Sequence, residues 1–91
     1  MYTYIITNHI NSVFYIGVTN NLERRISEHK TGTFNNSFSK RYRLYKMIWF
    51  QEFENPLEAI AAEKKIKGWK RSKKVELIKE FNSEYKDLTL R

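Results

Sequence analysis

The 91 residues carry 17 Lys+Arg against 10 Asp+Glu, a net charge of +7 and a pI near 9.7, enough chain for one core and too little for two. Cysteine is absent, which excludes a disulfide framework, a thiolate metal site and a cysteine nucleophile; no apolar run approaches the ~20 residues that cross a bilayer. The positive field favours polyanionic partners, the alternative being a surface that serves solubility alone, and the absence of a signal-peptide pattern makes a cytoplasmic, single-domain protein over residues 1–91, monomeric by default, the expectation.

In chain order, residues 2–7 and 13–17 are β-branched and aromatic runs separated by Asn8, Asn11 and Ser12, which predicts a β-hairpin. Asn20 or Asn21 then offers an N-cap to a helix carrying Leu22, Ile26 and His29 on one face and ending near Gly32. Residues 33–43, rich in Asn, Ser, Lys and Arg around Phe34 and Phe38, read as a loop. A third strand is expected over 44–50. At Asn55-Pro56-Leu57-Glu58 a cap, a proline at the first helical position and a glutamate three residues after the cap coincide, opening a helix to about Lys67. Ser72 is read as the cap of a last helix ending near Phe81. The order β-β-α-β-α-α predicts an α+β fold, a three-stranded mainly antiparallel sheet flanked by helices.

A four-residue turn pairing Thr7 with Ser12 would set Tyr4 directly opposite Tyr15 on one face. Such a pair either serves chemistry or merely stabilises the sheet. On the first helix, at about 100° per residue, Arg25 and His29 fall beside the apolar Leu22 and Ile26, while Arg24 and Glu28 point elsewhere and make an i,i+4 pair. Arg25 therefore either offers a phosphate-gripping fork at the core boundary or packs its stem with the head in water. Glu63 projects between Ala59, Ile60 and Ile66, so this carboxylate suits a hard cation or a salt bridge to an arginine such as Arg25. Lys64, Lys67, Lys70 and Arg71 around Trp69 suit backbone phosphates and a stacked base, or else a solvated helix face anchored by the tryptophan.

Tyr15-Ile16-Gly17, Thr19-Asn20-Asn21-Leu22, Arg25, His29 and Glu63 in Glu-Lys-Lys-Ile-Lys-Gly-Trp-Lys-Arg together resemble the GIY-YIG nuclease superfamily, in particular its small stand-alone bacterial members. The resemblance covers nearly the whole chain. Its first tripeptide stands here as Tyr2-Thr3-Tyr4, keeping only the last tyrosine of Gly-Ile-Tyr, and Val18 occupies a place where some relatives carry a lysine, so that either His29 takes over its role or activity is weakened. The resemblance implies a metal-dependent endonuclease acting on DNA. Tyr15, tuned by His29, would deprotonate or position the attacking water, Tyr4 would orient the scissile phosphate, and Arg25 would stabilise developing charge. Glu63 would hold a single Mg²⁺ or Mn²⁺. Asn82 would match a family asparagine near the active site. With no appended recognition domain, structure rather than sequence would be selected, in repair, recombination or DNA processing. A non-catalytic nucleic-acid-binding module and a protein-interaction adaptor are the rival readings.

Overall fold

Alternate residues of the first strand, β1 (Tyr2–Thr7), point to opposite faces of the sheet, and both faces are buried. It is the central strand of a three-stranded antiparallel sheet, flanked by β2 (Phe14–Thr19) and β3 (Lys46–Glu52). The computed structural model describes residues 1–31 and 41–88, of which 29–31 are described by their backbone alone. Among these, the helices with both ends described are α1 (Leu22–Thr31), α2 (Pro56–Lys67) and α3 (Arg71–Phe81), in the expected order. Most of the expected 33–43 loop, with Phe34 and Phe38, lies outside the described residues; Arg41 and Tyr42, read as loop, are helical.

On one face Ile5 joins Ile16, Ile48, Trp49, Ile66 of α2 and Ile78 of α3. On the other, Tyr4 and Ile6 meet Met47 and Leu44, with Tyr15, Leu22 and Ile26 packed around them. Each of the fully buried isoleucines contributes ~1.5–3 kcal/mol by leaving water. A buried threonine stitches the first layer together, as the Thr3 hydroxyl donates to the Ala59 carbonyl at 2.7 Å.

The hairpin register differs from the expected one. Thr7 pairs with Phe14, so Tyr4 lies opposite Gly17 and Tyr15 opposite Ile6. The cause is the turn, which takes residues 8–13: the Asn8 side chain accepts from the backbone N–H of Ser12 at 2.8 Å and of Val13 at 3.3 Å, and Asn11 adopts φ 57°. Lengthening the turn slides the pairing by two positions, which preserves the faces and breaks the direct opposition.

The helix boundaries follow their caps closely. Asn21 accepts from the Arg24 N–H at 3.0 Å, and Asn55 from the Leu57 N–H at 2.7 Å, with Pro56 behind it. Ser72 is not a cap. The chain turns at Gly68, Lys70 is the N-cap residue without a side-chain bond, and α3 has begun before Ser72 is reached.

Candidate nuclease site

Gly17 is where the site begins. A Cβ placed on it would stand 2.5 Å from Tyr4 Oη, 2.6 Å from Cζ and 3.1 Å from Tyr15 Cε1, so the missing side chain is the space the Tyr4 phenol occupies across the edge strand. Tyr4 and Tyr15 are diagonal neighbours, ring centroids 6.5 Å apart and tilted 39°. Tyr4 is 2% exposed, and burial is the first cause that drives its phenol above the ordinary value of 10.0. Tyr15 adds to the rise, Arg25 opposes it, and the carboxylates of Glu63 and Glu28 reinforce it. Groups from three elements, β2, α1 and α2, thus act on one hydroxyl carried by β1.

That shift moves the phenol further from ionising. At neutral pH Tyr4 is a neutral phenol, a hydrogen-bond donor and no base. Arg25 sits half-buried on α1, its Nε 3.8 Å from Glu28 Oε1. The expected Arg24–Glu28 pair is therefore replaced by an i,i+3 pair, while Arg24 reaches back to Asn20 Oδ1 at 3.3 Å. Glu28 follows Arg25 by one helical turn, so the i,i+3 rule contained the signal that placed it here.

Glu63, 21% exposed at its side chain, makes an i,i+4 contact of 3.4 Å with the more exposed Lys67. Among the described residues no cluster of three or more His, Asp or Glu side chains is present. A single half-buried carboxylate nonetheless fits a hard divalent ion, because Mg²⁺ keeps most of its waters and takes one or two protein carboxylates. His29 lies on α1, four residues after Arg25, with its side chain outside the description.

Asn82 is engaged elsewhere. Its Nδ2 donates to Ile48 O at 3.1 Å and Lys86 O at 2.7 Å, and its Oδ1 accepts from Lys86 N at 3.0 Å. Ile48 is the extra residue of a bulge in β3, since Ile5 pairs with Trp49 and Ile6 with Met47. Asn82 thus satisfies a bulge carbonyl and ties down the chain after α3.

The basic cluster divides. Lys64 and Lys70 are exposed, and Lys67 leans on Glu63. Trp69 packs against the Ile5 core, with Lys73 Nζ 4.5 Å and Lys65 Nζ 6.0 Å from its ring centre. Arg71 donates to the carbonyls of Asn11 at 2.7 Å and Ser12 at 3.1 Å and lies 4.3 Å over Phe14, clamping the hairpin turn to α3.

Residues 1–76 match the model of the GIY-YIG catalytic domain. The chain belongs to the GIY-YIG family. Its relatives include a UPF0213 protein of Clostridium perfringens, 38% identical over 77 residues, which are 85% of this chain and 81% of that one. A UPF0213 protein of Staphylococcus haemolyticus is 33% identical over 87% of this chain and 94% of its own. The solution NMR structure of a UPF0213 protein from Bacillus halodurans superimposes with a TM-score of 0.59 at 27% identity, covering 97% of this chain and 92% of that one. This GIY-YIG chain therefore carries a domain of nuclease type, and GIY-YIG nucleases as a group use divalent metal ions. No helix among the described residues is long and apolar enough to cross a membrane.

Proposed function

We propose that the protein is an endonuclease that hydrolyses phosphodiester bonds in DNA with one bound Mg²⁺ or Mn²⁺. It selects structure rather than sequence and works in repair, recombination or DNA processing as one cytoplasmic domain over residues 1–91, a monomer by default. One observation carries the reading: the charges of Arg25 and Glu63 and the ring of Tyr15 all act on the single buried phenol of Tyr4. A neutral Tyr4 donates to the scissile phosphate and orients it. Arg25 stabilises the charge that develops on the phosphate oxygens. Tyr15 positions or deprotonates the attacking water, with His29 tuning it from α1. Glu63 holds the metal, which when bound supplies polarisation of the phosphate and charge for the leaving oxygen. Lys64 and Lys70 add diffuse attraction for the backbone, which binds without reading sequence.

The test is a cleavage panel of linear, nicked and branched DNA with Mg²⁺ or Mn²⁺, run beside Glu63→Gln. Cleavage by the parent alone, with equal DNA binding by both, is the expected outcome. Because the Lys67 contact is an i,i+4 pair on one helix whose lysine is half open to solvent, the substitution should change stability by no more than about 0.5 kcal/mol. A Glu63→Gln protein that cuts as fast as the parent refutes the assignment of the metal to Glu63, and salt-sensitive binding without cleavage by either makes the chain a binding module.

A further inference from the structure

Away from these residues, at the hairpin-turn end of the sheet, lies a cleft of about 920 Å³ that includes none of Tyr4, Tyr15, Arg25 or Glu63. Its size is at the upper end of the ~300–1,000 Å³ typical of ligand clefts. Its walls mix aromatic and cationic side chains: Tyr42, Tyr45 and Tyr85 with Arg43, Lys46 and Lys86. Among the described residues Asp87 is the sole acid of its lining, and one of its oxygens accepts from the Met47 N–H at 3.3 Å. Lys46 is oriented by Asn11 Oδ1 at 2.9 Å, and Lys86 by Glu84 at 3.0 Å, whereas Arg43 has no hydrogen-bond or ion-pair partner among the described residues.

Backbone strain collects at the same place. The non-glycine residues with positive φ among those described are Asn11 at 57°, Arg43 at 55° and Tyr85 at 55°. Arg43 and Tyr85 line the cleft, and Asn11 holds Lys46 against it. For a tyrosine and an arginine this region is unfavourable, so the fold holds both in an uphill conformation at one opening.

We propose that this cleft binds single-stranded nucleic acid, a base stacking on its tyrosines while the flanking phosphate meets Arg43. A single strand fits better than a duplex because its bases are free to leave their neighbours and enter an aromatic recess. The cleft is placed to act with the nuclease site. Asn8, on its rim, follows β1 directly and lies roughly 13 Å along the strand from Tyr4, four residues at about 3.3 Å each, a span of a few nucleotides. The inference shares the nucleic-acid partner of the proposed function and is independent of cleavage.

The experiment is equilibrium binding of a short fluorescent oligothymidylate without added divalent ion, with amide chemical shifts mapped on the native chain. Tyr45→Ala is expected to weaken binding about tenfold or more. Arg43→Gly is expected to weaken it too and to lower the slope of log affinity against log salt by about 0.7. The same variant should melt no lower than the parent, since glycine adopts φ 55° without strain. The amides of His9, Lys46 and Tyr85 should shift on binding. Unchanged affinity in both variants, or shifts confined to α1 and α2, overturns the proposal and leaves the endonuclease reading standing. Thymidine monophosphate binding as tightly as the oligomer also overturns it, making the cleft a free-nucleotide site. Oligomer binding in the cleft by a protein that never cleaves DNA upholds it while the endonuclease reading fails.

Discussion

Gly17→Ala is expected to damage stability and cleavage together, because the added methyl group enters space the Tyr4 phenol already fills. The strand backbone there is extended and tolerates alanine, so the entropy of the unfolded chain alone would favour the substitution by ~0.4–1 kcal/mol. Against this stand contacts of 2.5 Å to Oη and 2.6 Å to Cζ, both on a ring buried to 2% exposure that has no solvent to swing into. Overpacking of this kind costs ~1–3 kcal/mol, leaving a net loss of about 1–2 kcal/mol. For a chain of this size that is a fall of about 4–16 °C in melting temperature, read by circular dichroism. The displaced hydroxyl should also lower cleavage about a hundredfold, in line with the cost of a misplacement of ~1 Å. A double-mutant cycle with Tyr4→Leu isolates the cause, since that change removes both contacts and should erase the stability penalty without restoring activity. If Gly17→Ala destabilises equally with Tyr4 or Leu at position 4, or is as stable and active as the parent, the close-approach argument is wrong.

Asn82→Ala should cost ~2–3 kcal/mol in chemical denaturation, because it strands the Ile48 carbonyl and two backbone groups of Lys86. Measured well below its own melting temperature, its kcat should match the parent's; a drop there would put Asn82 back among the catalytic residues. The raised Tyr4 phenol has a pH signature. A group that holds its proton more tightly when folded stabilises the fold fully below the ordinary value of 10.0, and that stabilisation is lost as pH climbs above it. Urea unfolding between pH 8 and 11 should therefore show a steeper alkaline decline for the parent than for Tyr4→Phe, and identical slopes would contradict the burial argument.

The boundaries of α1 and α2 were legible because each rests on a local signal, an asparagine whose side chain caps the first turn. The face shared by Tyr4 and Tyr15 was legible too, since alternation along a strand survives any even slide in register. Their separation was not, because it depends on how many residues the turn consumes. That is set by Asn8 bonding two N–H groups at once and by Asn11 at positive φ, neither of which composition announces. Asn82 illustrates a second limit: its work is to satisfy a carbonyl at a bulge between β1 and β3, a feature of pairing across distant sequence. Arg71 and Trp69 looked like contacts for a polyanion by charge and aromaticity, yet one clamps the hairpin and the other anchors the core. A basic run does not say which of its members reach solvent.

The electrostatics around Tyr4 run against the charge of the whole chain, and that contrast bears on the proposed chemistry. Within a protein of net charge +7, the phenol is faced by two carboxylates, Glu28 and Glu63, and by one guanidinium, Arg25. Lys67 offsets Glu63 from a position half open to solvent, where such pairing is weak. A phosphate drawn in by the basic surface would therefore meet more negative than positive charge at the hydroxyl meant to orient it. If Arg25 and the lysines were the whole of the anion-binding apparatus, the carboxylates would be a hindrance, and replacing Glu63 by glutamine would tighten phosphate binding and speed cleavage. If Glu63 instead serves a divalent ion, the same replacement removes the positive charge that the acid recruits, and cleavage disappears. The sign of that one change separates a site built for an anion alone from one built for an anion and a cation together.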